Sequence, residues 1–177
     1  MRFPALSAAF FTVLLALSGC STLPPVAVAP AATPSSPATG RIVTTAQLRV
    51  AIPAVHLSDT QYAEVNSRWL EDFYPFFRTQ LSHAGVRAWN ERFNCKHFAG
   101  LYSELAQSRF LLASRVQPVP SDTLAIGSIW YARDDGRGNH AIVVAVTERG
   151  LVFIEPQTGQ ELKLSMKELS SVYLAVL

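Results

Sequence analysis

The chain has 177 residues, 49% of them hydrophobic, and 15 basic against 13 acidic side chains give it a formal charge of +2. This near-balance, with no basic stripe, excludes nucleic acid as an electrostatically recruited partner. Two cysteines are too few for a disulfide framework, and no internal repeat is present.

Arg2 is followed by an uncharged apolar run from Ala5 to Leu17, too short for a membrane-spanning helix of about 20 residues. A short positive start, an apolar core and small residues at its end describe a secretory signal. Leu17-Ser18-Gly19-Cys20 resembles the lipobox of bacterial lipoproteins. The resemblance implies a signal peptide over 1–19, cleavage before Cys20 and a lipid on its thiol. It also implies a place in the cell envelope, with Ser21 pointing to the outer membrane and a domain facing the periplasm. Residues 20–40 are rich in Ala, Pro, Ser and Thr, and read as a lipidated tether reaching about 3 Å per residue when extended. The remaining 41–177 is one domain's worth of chain.

Within that domain, Arg41–Val55 is rich in Val, Ile and Thr and predicts one or two short strands. Ser58-Asp59-Thr60-Gln61 reads as a capping box opening a helix, with Tyr62, Val65, Trp69 and Phe73 at helical spacing on one face. Pro75 interrupts this pattern, and a second helical stretch from Phe76 ends at Gly85. The six aromatics between Tyr62 and Phe77 are read as core rather than as a stacking platform. Asn94 caps a further helix that starts at Cys95 and runs to about Leu112, with Phe98, Leu101, Tyr102 and Leu105 on its apolar face. From Leu124 the pattern turns to short strands: 126–132, 140–147, 151–155, 160–165 and 171–177. The expected class is α+β, a helical lobe followed by an antiparallel sheet.

If the lipid occupies Cys20, Cys95 is the only thiol left, with no disulfide partner. At a helix N-terminus it meets unpaired N–H groups and the positive end of the helix dipole, beside Lys96, an environment that favours thiolate. A thiolate is a nucleophile. His140 opens an apolar strand at the rim of the core and is a candidate general base. If Glu148-Arg149 forms a two-residue turn, His140 lies opposite Gln157 and diagonal to Glu155, so the carboxylate can orient the ring. The candidate catalytic set is Cys95, His140 and Glu155. Gln157 is held in reserve for the third role and Asn90 is a weaker oxyanion candidate. His97 is two residues past Cys95, about half a turn round the helix, and should not pair with the thiol.

Asn94-Cys95-Lys96-His97-Phe98-Ala99, Gly138-Asn139-His140-Ala141 and Ile154-Glu155-Pro156-Gln157 together resemble the papain-like cysteine hydrolases. They look like the cysteine-protease domain of the fairy-ring mushroom agglutinin, and more loosely like NlpC-type and CHAP peptidoglycan hydrolases. The resemblance implies a papain-like fold with the nucleophile helix packed on the sheet. It also implies cleavage of an amide bond in a protein or peptidoglycan peptide by a Cys–His–Glu triad. No cofactor is expected beyond the calcium that the agglutinin family uses, for which Asp134-Asp135-Gly136 is the local candidate. NlpC-type enzymes carry Asp before the cysteine and a third-position histidine, and this chain has neither. The competing expectations are an NlpC-type peptidoglycan endopeptidase or amidase, and a non-catalytic envelope lipoprotein with a binding or scaffold role.

Overall fold

The computed structural model describes residues 35–177. Cys20 and the expected signal peptide lie outside the described residues, as does most of the expected tether. The tether's last residues, from Ala38, already belong to the folded domain.

In chain order the elements are β1 (Ala38–Thr44), α1 (Thr45–Ala51), β2 (Val55–His56), β3 (Gln61–Val65), α2 (Ser67–His83) and α3 (Cys95–Ser114). There follow β4 (Ile126–Ala132), β5 (Asn139–Thr147), β6 (Gly150–Glu155), β7 (Gln160–Leu162), α4 (Met166–Ser170) and β8 (Leu174–Val176). The eight strands form one sheet in the order β1-β3-β5-β4-β8-β2, and β6 also pairs with β5 and leads to β7. The class is α+β, as expected, but the sheet is mixed rather than antiparallel: β2 runs parallel to β8, and β3 parallel to β5. Parallel neighbours need a long crossover. Here the chain between β3 and β5 carries α2 and α3, and it is this helical insertion that lets early strands return alongside late ones.

β5 is the buried centre. Ala141 to Ala145 are all 0% exposed, and α3 packs on β4 and β5. A strand covered on both faces reads as an unbroken apolar run, as Ala141–Val146 does. α2 presents Trp69, Phe73, Phe77 and Leu81 to the core. Tyr102 of α3 meets Phe73 edge-on at 5.0 Å and Phe77 at 4.8 Å. The aromatics of this region are thus core, as their spacing predicts.

Three local readings change. The capping-box pattern at Ser58 does not open a helix: Tyr62, Ala63 and Val65 are fully buried in β3, which pairs with β1 through Ile42↔Ala63 and Val43↔Tyr62. Sheet pairing outweighs a local cap whenever the following residues bury better in a strand. The helix begins only at Ser67, where the Asn66 side chain accepts from the N–H groups of Arg68 and Trp69. Pro75 then lies inside α2 without ending it. Pro75 is on the exposed side, where the carbonyl one turn back can turn to water. Lastly, 160–165 is strand only as far as Leu162, and α4 precedes a shortened last strand. Ser165 and Glu168 form the capping box that starts α4, and Thr44 and Gln47 do the same for α1, which replaces part of the strand expected over Arg41–Val55.

Gly127 shows how closely β4 and β8 approach: a Cβ there would lie 1.9 Å from the carbonyl oxygen of Val176. Gly127→Ala is expected to destabilise the domain by about 1–3 kcal/mol. Gly100→Ala in α3, where nothing lies within 4 Å, should stabilise it by about 0.5–1 kcal/mol. Urea denaturation of the two variants beside the parent checks both signs.

Candidate functional site

β4 and β5 pair in register over seven consecutive positions, from Ile126↔Ala145 to Ala132↔Asn139, which sets Tyr131 opposite His140. The two rings meet edge to face at 6.0 Å. On the other side β5 turns into β6 through Glu148-Arg149, with Thr147↔Gly150 and Val143↔Ile154 paired, the register expected from a two-residue turn. Side chains alternate along a strand, so His140 and Glu155 fall on one face.

They meet there. His140 Nε2 lies 2.7 Å from Glu155 Oε2. An ionised carboxylate has no proton to donate, so the hydrogen is on Nε2 and Nδ1 is left as an acceptor. The second carboxylate oxygen accepts from the backbone N–H of Gln157 at 3.2 Å and from its side-chain amide at 3.3 Å. Burial pushes the Glu155 carboxyl up, while the hydrogen bonds from His140 and Gln157 draw it down. The balance lies below the ordinary carboxylate value.

Gln157 therefore buttresses Glu155 and does not touch the ring. Its own carbonyl accepts from the Tyr74 hydroxyl at 2.8 Å, tying the 155–159 turn to α2. Gly159 closes that turn at φ +75°, where a Cβ would lie 2.5 Å from the Tyr74 ring. Tyr74 and Gly159 are positioning residues that motif reasoning missed. The turn signal at 156–159 was visible, but nothing in the spacing joins it to α2.

Cys95 is the first residue of α3, behind its cap Asn94, as predicted. It is a free, half-buried thiol packed against the core. The hydrogen bond that His140 makes goes to Glu155. Asn90 is exposed and turns inward on its own loop, its side-chain oxygen accepting from the N–H groups of Arg92 and Phe93. His97 is exposed, accepts at Nδ1 from the Asn94 N–H and stacks on Phe93. Asp135 is engaged by Arg137 and Arg133, and the Arg137 hydrogen bonds hold it down to about 2. Asp134 meets the Ser165 hydroxyl and, at 3.4 Å, Lys167. Among the described residues no group of three or more His, Cys, Asp or Glu side chains is arranged to hold a metal, so the calcium expectation finds no ligand set there.

No protein-family model matches the chain, and no curated protein is detectably similar. Solved structures do match. One is described as a PSL1a–E64 complex, with 20% identity and a TM-score of 0.53, covering 77% of this chain and 51% of that one. Another is the Polyporus squamosus lectin bound to the human-type influenza-binding epitope Neu5Acα2-6Galβ1-4GlcNAc. Its identity is also 20%, its TM-score 0.52, and the match covers 77% of this chain and 49% of that one. The chain thus spans about half the length of these structures, and at this identity the likeness is one of fold. It corrects the resemblance to the papain-like cysteine hydrolases and the amide-hydrolase function drawn from it: the Polyporus squamosus structure is named for a lectin and not for a peptidase.

A carboxyl held below its ordinary value stabilises the folded state above that value, and the contribution fades as pH falls through the lowered one. At neutral pH, Glu155→Gln should cost about 1–3 kcal/mol in urea unfolding. The gap between parent and variant should narrow as pH drops below 4.5, the ordinary value for this group, and through the lowered one. A gap independent of pH would mean that the carboxylate charge has no part in it.

Proposed function

We propose that residues 35–177 form a non-catalytic ligand-binding domain and that carbohydrate is the class of ligand to test first. The observation that carries this reading is the shared fold with a lectin bound to a sialylated trisaccharide. The arrangement around His140 supports it: a nearly buried imidazole, a carboxylate and an amide meet beside the rings of Tyr131 and Tyr74. Fixed polar groups beside aromatic walls are what an orienting ligand site requires. Anchored by a lipid on Cys20 in the outer membrane and facing the periplasm, such a domain would meet the glycan strands and peptides of peptidoglycan. Sacculi are therefore the second probe after the trisaccharide.

The expected result is saturable binding of Neu5Acα2-6Galβ1-4GlcNAc or of purified sacculi, weakened at least about tenfold by His140→Ala and unchanged by Cys95→Ser. Absence of binding to both probes, or binding indifferent to His140, contradicts the reading. The anchor has its own test. In detergent phase separation the parent should enter the detergent phase and Cys20→Ala the aqueous phase.

For activity we propose a second reading, favoured by the 2.7 Å His140–Glu155 contact: thiol-dependent turnover at Cys95. Iodoacetamide should then label Cys95 rapidly near about pH 6, and His140→Ala should slow the labelling. Labelling that rises only above about pH 8, as for an ordinary thiol, contradicts it.

A further inference from the structure

Beyond His140 and Glu155, the same face of the sheet carries residues with nothing assigned to them. The register Val144↔Phe153 and Val146↔Leu151 puts Phe153 and Leu151 on one side of β6, and Ile129↔Ile142 adds Ile129 from β4 to that side. On the opposite side of β6, Val152 and Ile154 are buried, at 4% and 6% exposure, whereas Leu151 and Phe153 are only half-buried. The difference is a cavity of about 460 Å³ between this face, the end of α1 with the segment that follows it, and α4 with the segment after it. Ala51, Ile129, Leu151, Phe153, Leu169 and Val172 line it, and Ser170 is the one hydroxyl in its wall. The volume falls within the range of small-ligand sites, about 300–1,000 Å³.

The two helices beside the cavity also carry exposed apolar side chains. Val50 on α1 is 85% exposed and Met166 on α4 is 82% exposed, although each stands next to a charged residue that could have taken its place. Those neighbours are Arg49 and Lys167, so the two helices that bound the cavity each carry a cation beside an exposed apolar side chain. An aliphatic lining with one hydroxyl suits a flexible hydrocarbon tail.

We propose that this cavity is a binding site for a single acyl chain, held between α1, α4 and β6. It is separate from the His140 site and does not depend on the carbohydrate reading.

The test uses the full chain carrying Cys20→Ala, so that no lipid of its own competes, and cis-parinaric acid as probe at concentrations where it is monomeric. Its emission should rise with a saturable, one-to-one dependence and fall on addition of palmitate. Ala51→Trp, which fills the cavity, and Leu169→Asp, which charges its wall, should each weaken binding at least about tenfold. Both sites are at the rim, so thermal unfolding should show the variants still folded. Failure of the emission to saturate overturns the proposal, as does binding that both variants leave intact. Association only with phosphatidylglycerol vesicles, without uptake of the monomeric acid, also overturns it by making this face a membrane-docking surface.

Discussion

The register of β5 is the constraint on which the structure rests. The strand is held by β4 on one side over seven paired positions and by β6 on the other over five, with β3 joining at Thr147. Its middle is fully buried. A slip of one residue would turn Ala141, Val143 and Ala145 to the face that now holds His140, Ile142 and Val144, and the reverse. Both faces are buried, so the slip would drive Ile142 and Val144 into the space shaped for the alanines and part His140 from Glu155, and overpacking of this kind costs about 1–3 kcal/mol.

From that register the chemistry follows. The two-residue turn at Glu148-Arg149 leaves His140 and Glu155 on one face, close enough for a 2.7 Å contact. The carboxylate is then held from behind by Gln157, Gln157 by Tyr74, and the turn by a glycine that nothing larger can replace beneath the Tyr74 ring. An imidazole confined in this way keeps one tautomer and one orientation, which serves recognition of a ligand as well as it serves proton transfer.

What could be read from the sequence was set by how local the determining interaction is. The start of α3 at Cys95 and the limits of β4 to β6 follow from caps, turn residues and apolar runs within a few positions, and the His140–Glu155 pairing needed only the hairpin count. β3 reads as helix because Tyr62 and Val65 are three apart; in the strand they fall on opposite faces, both buried, an arrangement that depends on the distant partner β1. Pro75 was given too much weight because its exposure depends on how α2 lies on the core. The boxes at Thr44–Gln47 and Ser165–Glu168 were legible but sit before helices of only seven and five residues, too short to show a period. Tyr74, Gly159 and the cavity under α1 and α4 come together from segments far apart in the chain, and no spacing announces them. The papain-like assignment rested on a few residues around Cys95, His140 and Glu155, and so few positions describe a constellation better than a family.

The most direct test of this account is the tautomer of His140, read by long-range proton–nitrogen NMR correlation on the ring at neutral pH. The account predicts a single form with the proton on Nε2, a downfield Nε2–H signal, and loss of both features in Glu155→Gln. A ring protonated on Nδ1, or one averaging between tautomers in the parent, would contradict the pairing that the β5 register imposes.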